Sequence, residues 1–126
     1  MQLILGDKAY STWSLRPWLV LKRCGADFEE VIVRLNRPDT AERIAEHSPT
    51  GKVPALKVDG ETIWDSLAIT TWAAERYPET RLWPADAHAR WLARSVTCEM
   101  HSGFMALRTA CSMGPEHTMV GDDRSD

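Results

Sequence analysis

The sequence predicts an α/β fold, one mixed β-sheet covered by helices on both faces, followed by a long helix. Three observations carry this. Short apolar runs alternate with longer runs at helical spacing, in the order strand, helix, strand, helix, strand, strand, helix. Asp59-Gly60, between two short β-type runs, is a strong hairpin signal. A strand-like run opening at Val53-Pro54 is unusual, because proline offers no N–H to a ladder and belongs at a strand's first residue or edge.

Each element has a local reason. Leu3-Ile4-Leu5 is a short buried strand ending at Gly6. A polar loop, Asp7 to Thr12, leads into an apolar helix through Leu15, Trp18, Leu19 and Lys22. Pro17 is expected in its first turn, where the missing N–H is harmless, and Gly25 is a good stop. Val31, Val33 and Leu35 alternate within a second strand, Phe28 to Leu35. Arg37-Pro38-Asp39-Thr40 is a turn with a helix cap, and a short helix follows to about His47. The hairpin strands run from Pro54 or Ala55 to Val58 and from Thr62 to Trp64. Ser66 is expected to cap a helix through Leu67, Ile69, Trp72 and Ala73, ended by Pro78. The first two strands should be parallel through their crossover helix. This βαβ-α-ββα order is thioredoxin-like.

Leu82-Trp83-Pro84 reads as a linker that folds an aromatic side chain back onto the core. From Asp86 or Ala87 to about Met113 the pattern is one long helix, with Trp91, Val96, Met100, Phe104, Leu107 and Cys111 at helical spacing. A helix apolar over so much of its girth normally packs among other helices, and no later segment supplies them. Residues 114–126 are polar, acidic and without periodicity, and are expected to be disordered. The expected organisation is a thioredoxin-like domain over 1–83, a linker and the first helix of an incomplete all-helical domain over 84–113, and a tail over 114–126.

Composition narrows the function classes. The 126 residues carry a formal net charge of −3 with scattered signs, which argues against a nucleic-acid stripe or a polybasic membrane patch. No apolar run approaches the roughly 18 residues a bilayer span needs. The chain opens directly on a strand-like segment without a secretory signal pattern, so a cytoplasmic protein is expected. Cys24, Cys98 and Cys111 lack metal-ligand or Cys-x-x-Cys spacing and read as reduced thiols. His47, His88 and His117 show no metal spacing either, and no metal is expected.

Two short motifs suggest a ligand. If Val53-Pro54 is cis, the chain turns sharply and the amide N–H and C=O of Val53 point outward, able to dock an extended peptide as another strand. Asp65-Ser66 falls where a strand gives way to a helix, which is where an anion is best held. Together they suggest a small peptide with a free α-amino acid group.

Ser11-Thr12-Trp13-Ser14-Leu15-Arg16 entering the first helix, Lys52-Val53-Pro54 and Asp65-Ser66 carry a family likeness. The chain resembles the N-terminal domain of cytosolic glutathione S-transferases, in particular the serine-type classes such as zeta and tau. The likeness spans Met1 to Trp83, then a linker and the first helix of that family's second domain. It implies glutathione as cosubstrate, a small electrophile as second partner, and a homodimer in the intact protein. Ser11 matches the catalytic serine, with Thr12 and Ser14 as lesser candidates and a plain helix cap as the bland alternative. Lys52, Val53, Pro54, Asp65 and Ser66 match glutathione-binding positions. Val53 pairs through its main chain with the cysteinyl unit, and Pro54 sets that geometry. Asp65 holds the γ-glutamyl ammonium and Ser66 the carboxylate; the bland alternative is that the two form an N-cap pair. Trp13, Ser14, His101, Phe104 and Arg108 are candidates for the substrate cleft, the last three at i, i+3 and i+7 of one helix face.

The sequence departs from that pattern in places. Lys52 stands where zeta-type sequences have glutamine, and Asp65 is one methylene shorter than the commoner glutamate. Trp13 sits where redox classes carry cysteine, which disfavours a glutaredoxin-like reductase. The chemistry required of Ser11 is modest. A free thiol with pKa about 8.5 is only about 3% thiolate at pH 7, and lowering that pKa by about two units makes most of it thiolate. One good hydrogen bond and a helix dipole suffice. Attack on an electrophile is the first reading. A glutathione-dependent isomerase like maleylacetoacetate isomerase, or a non-catalytic glutathione-transferase-like binding protein, are the alternatives.

Overall fold

The computed structural model describes residues 1–111. In chain order the elements are β1 (Gln2–Leu5), α1 (Thr12–Arg23), β2 (Glu29–Ile32), α2 (Thr40–Ala45), β3 (Ala55–Val58), β4 (Glu61–Trp64) and α3 (Ser66–Arg76). A 3-10 turn at Pro78–Thr80 follows, then α4 (Ala87–Ser102) and α5 (Met105–Ala110). The four strands form one sheet in the order β2-β1-β3-β4. β1 runs parallel to β2, Leu3 opposite Glu30, and antiparallel to β3, Leu3 opposite Leu56. β3 and β4 form the hairpin around Asp59-Gly60, with Ala55 opposite Trp64. The mixed thioredoxin-like sheet expected from the element order is the one observed.

Strand alternation divides the core in two. Leu3, Leu5 and Leu56 meet Leu21 of α1 and Ile69 and Ala73 of α3, with Trp18, Trp72 and Tyr77 closing around them. Ile4 and Ala55 point the other way, onto Val33 and Ile44 of α2. Burying each leucine or isoleucine contributes about 1.5–3 kcal/mol, so both faces favour the same register. Gly6 ends β1 under Leu35, where a Cβ would come within 2.9 Å of a leucine methyl.

Several local expectations are corrected. Pro17 lies in the second turn of α1, not the first, and is buried. There its missing N–H leaves the Trp13 carbonyl without a helical partner. The residue capping α3 is Asp65, not Ser66: its carboxylate accepts the N–H of Leu67 at 2.8 Å and of Ala68 at 3.3 Å. Leu82 packs against the core, whereas Trp83 carries the guanidinium of Arg94 on its ring. The single long helix is broken at Gly103 and Phe104. A Cβ on Gly103 would come within 2.8 Å of the Glu99 carbonyl oxygen, and Phe104 is left-handed at φ 62°. Arg108 of α5 turns back to cap α4, donating to the carbonyls of Met100 and Gly103. The expected helix end near Met113 and the expected tail over 114–126 lie outside the described residues.

Asp7 locks the loop before α1 to the segment that follows β2. Its carboxylate accepts the Leu35 N–H and the Arg34 guanidinium, both at 2.7 Å. Its carbonyl accepts the N–H groups of Tyr10 and Ser11, both at 3.0 Å. The Leu35 N–H, helped by Arg34, holds the Asp7 carboxyl below its ordinary pKa against the opposing effect of burial. A depressed folded value means this stabilisation is complete above the unfolded pKa and is lost as pH falls through the folded one. Asp7→Asn should therefore cost about 1–2 kcal/mol at neutral pH, and the cost should fade as acidification takes the medium through the lowered folded pKa. Urea titrations of both proteins at neutral pH and in acid check this, and an equal difference at both would refute it.

Candidate functional site

Four segments surround one cavity of about 960 Å³: the start of α1, residues 50–54, the β4–α3 junction, and the α4–α5 elbow. A cavity of this size suits a ligand of several hundred daltons. Ser11, Val53, Pro54, Asp65 and Ser66 all reach its wall, although up to 55 residues separate them in sequence.

Ser11 is the N-cap of α1, extended at φ −122° and ψ 97°. Its Oγ accepts the Ser14 N–H at 3.2 Å and donates to Ser14 Oγ at 3.0 Å. It is buried but on the cavity wall, beside the first-turn amides and the positive end of the helix. Thr12 also reaches the wall. Ser14 does not. It is 1% exposed, beneath Ser11, with its Oγ accepting the Gly6 N–H at 2.9 Å.

The Val53-Pro54 peptide bond is cis, and both residues face the cavity, with exposed Lys52 at its rim. Across from them, Asp65 has φ 79° and ψ 132°, a region an L-residue rarely occupies. Its Oδ1 is used by the helix cap, while Oδ2 lies 3.0 Å from His101 Nε2. The Ile69 N–H bonds the Asp65 carbonyl at 3.0 Å. Of the first amides of α3, that of Ser66 alone has no partner among the described residues. This N–H and the Ser66 hydroxyl are two donors at a helix N-terminus, a suitable seat for a carboxylate.

The far wall is aromatic and cationic. Trp13 carries Arg16 on its ring at 4.2 Å and Arg108 at 4.5 Å, and meets His101 edge-on at 5.3 Å. Arg16 Nη1 is buried and has no hydrogen-bond partner among the described residues. Burial, and secondarily the neighbouring Arg108, push the Arg16 guanidinium below its ordinary pKa. His101 and Arg108 do converge on the cavity. Phe104 does not, because the helix break turns it out until it is half exposed. Sequence reading placed neither Tyr10 nor Arg16 in the cleft. The signal for Arg16 was its i+3 spacing from Trp13, which sets the two on one helix face. Among the described residues no group of three His, Cys, Asp or Glu side chains could hold a metal, and no helix is long and apolar enough to cross a membrane.

Residues 10–76, which contain Ser11, the cis-proline and the Asp65-Ser66 junction, match the family described as glutathione S-transferase, N-terminal domain. The chain belongs to this family. Among curated relatives, it is 37% identical over 101 residues to maleylacetoacetate isomerase of Rattus norvegicus, covering 77% of this chain and 45% of that protein. It is 35% identical over 103 residues to glutathione S-transferase Z2 of Arabidopsis thaliana, covering 77% and 46%. Among solved structures, a glutathione transferase homologue from Burkholderia with bound glutathione is 33% identical and superposes with a TM-score of 0.72, over 98% of this chain and 66% of that one. The chain thus spans about half the length of the curated relatives it matches. In this glutathione S-transferase family member the matched residues supply three of the four cavity walls, and the α4–α5 elbow supplies the fourth.

Proposed function

We propose that this chain carries the glutathione site of a serine-type glutathione transferase, acting in the cytoplasm on a small electrophile. The observation that supports this best is that Ser11, Val53, Asp65 and Ser66 share one cavity wall. Glutathione is bound extended, its cysteinyl unit against the Val53 main chain. Its γ-glutamyl ammonium sits on Asp65 and its carboxylate on the Ser66 N–H and hydroxyl. Lys52 lies at the rim, within reach of the glycyl carboxylate. The sulfur then falls near the start of α1, where the Ser11 hydroxyl donates to the thiolate and the helix dipole adds to its stability. The thiol proton leaves to solvent, and the thiolate attacks the electrophile. Residues 1–83 form the glutathione domain, residues from 84 onward begin a helical second domain, and the intact protein is a homodimer.

A second reading within the family is a glutathione-dependent isomerase of an acidic substrate. Arg16 and Arg108 on the Trp13 ring favour it, because the unpartnered Arg16 Nη1 calls for an anionic acceptor. Retention on immobilised glutathione, followed by turnover of a generic electrophile, tests the main reading. Failure to bind would overturn it, and binding without turnover would leave a non-catalytic glutathione-binding protein. Carboxylate-bearing electrophiles should be preferred about tenfold over their esters, a preference that Arg16→Gln removes. Equal rates for acid and ester would exclude the isomerase of an acid.

A further inference from the structure

The transferase reading assigns the γ-glutamyl ammonium to Asp65, yet that carboxylate already has partners. Oδ1 accepts the Leu67 N–H at 2.8 Å and the Ala68 N–H at 3.3 Å. Oδ2, the oxygen left for a ligand, lies 3.0 Å from His101 Nε2. An ionised carboxylate only accepts, so Nε2 carries the proton in this contact whether the ring is neutral or charged. The two side chains come from segments 36 residues apart, the β4–α3 junction and the last turn of α4. Neither is sealed from solvent: the His101 side chain is 23% exposed and that of Asp65 47%. The Trp13 ring, edge-on at 5.3 Å, packs against the imidazole. Asp65 keeps its unusual φ of 79°, so partners rather than backbone preference fix where its carboxylate stands.

We propose that His101 is a positioning residue for γ-glutamyl recognition, acting through Asp65, and that its charge state sets how well the ammonium is held. A neutral ring donates Nε2–H to one lone pair of Oδ2 and holds that oxygen in place. A second lone pair and the whole negative charge remain for the ammonium. A protonated ring neutralises the same carboxylate, and the arriving ammonium meets another cation on its own acceptor. Ammonium binding and protonation of His101 therefore oppose each other through Oδ2, and the opposition is reciprocal. The groups facing His101 act in both directions. Asp65 and the carbonyl end of α4 favour a charged ring, whereas Arg16 of α1 and Arg108 of α5, both on the Trp13 ring, oppose it. Tyr10, Lys52 and Cys111 line the same cavity. The sulfur end of the site takes no part, so thiolate formation at Ser11 is untouched. This inference rests on the transferase reading and adds to it a residue outside the matched segment 10–76.

Calorimetric titration of the full chain with S-methylglutathione, which has the ammonium but no thiol to ionise, tests this. It is run at about pH 7.5 and about pH 5.5, within the span over which imidazoles take up a proton. The native chain should bind about threefold to tenfold more weakly at the lower pH. His101→Gln keeps a donor but cannot be charged, so its affinities at the two pH values should agree within about twofold. His101→Ala should be equally flat, yet bind about threefold to tenfold more weakly than His101→Gln, because no side chain then holds Oδ2. A native affinity that does not change with pH overturns the proposal, as does the same fall in His101→Gln. His101→Ala binding as tightly as His101→Gln also overturns it, since the contact would then position nothing. In each of those cases binding at the higher pH leaves the transferase reading standing. If the native chain binds no S-methylglutathione at either pH, the transferase reading falls as well.

Discussion

Ser11→Ala should raise the pKa of glutathione bound to this chain by about one to two units, cutting the thiolate present at pH 7 roughly tenfold or more. The effect follows from position. Ser11 ends an extended loop at the N-terminus of α1, on the cavity wall, so its hydroxyl and the helix dipole act on the same atom. Affinity for glutathione should change little, because the ammonium, carboxylate and main-chain contacts lie elsewhere. The same substitution also removes a helix cap, worth about 1 kcal/mol, so stability must be measured alongside. Ser11→Thr keeps cap and donor and should behave like the native chain. Identical thiol titrations in native and Ser11→Ala proteins would remove serine from the chemistry.

Asp65 carries the other large effect, since one carboxylate serves two purposes. Oδ1 caps α3, while Oδ2 faces the cavity beside His101. Asp65→Ala should destabilise the fold by about 1 kcal/mol and weaken glutathione binding by roughly tenfold to a hundredfold. Asp65→Asn separates the two roles. It keeps an acceptor for the Leu67 N–H and so should keep stability, yet it lacks the charge for the ammonium and should bind as weakly as the alanine variant. Calorimetric titration with glutathione and urea unfolding read the two roles independently. Native-like affinity in Asp65→Asn would show that the ammonium is held by something else.

Much of this protein was legible before its structure, for identifiable reasons. The period-two run through Val31 and the Asp59-Gly60 turn are local signals, and the sheet follows from their order, although β2 ends at Ile32, short of the expected Leu35. Ser11, Val53, Pro54, Asp65 and Ser66 sit at element boundaries, where turn and cap chemistry marks a sequence, and they reach one cavity. What escaped notice depends on the third dimension. The Asp7 contact to Arg34 and Leu35 spans 27 and 28 residues and has no periodicity. Asp65 and Ser66 were legible as an N-cap pair, but that Asp65 alone makes the side-chain cap depends on its positive φ, which turns the carboxylate back onto the helix amides. Helical spacing ran unbroken through Gly103, so the apolar pattern concealed a break that the backbone makes for steric reasons.

That break divides the protein's duties. In an uninterrupted helix, residue 108 would stand about 10 Å farther along the axis than residue 101, too far for both to touch one indole. The reversal at Gly103 and Phe104 instead returns Arg108 to the ring that His101 already meets. Under the proposed function, thiol handling would reside in the first 66 positions, whereas the choice of second reactant would draw in part on the α4–α5 elbow. A change in that elbow would then alter what is attacked without disturbing how the attacker is made.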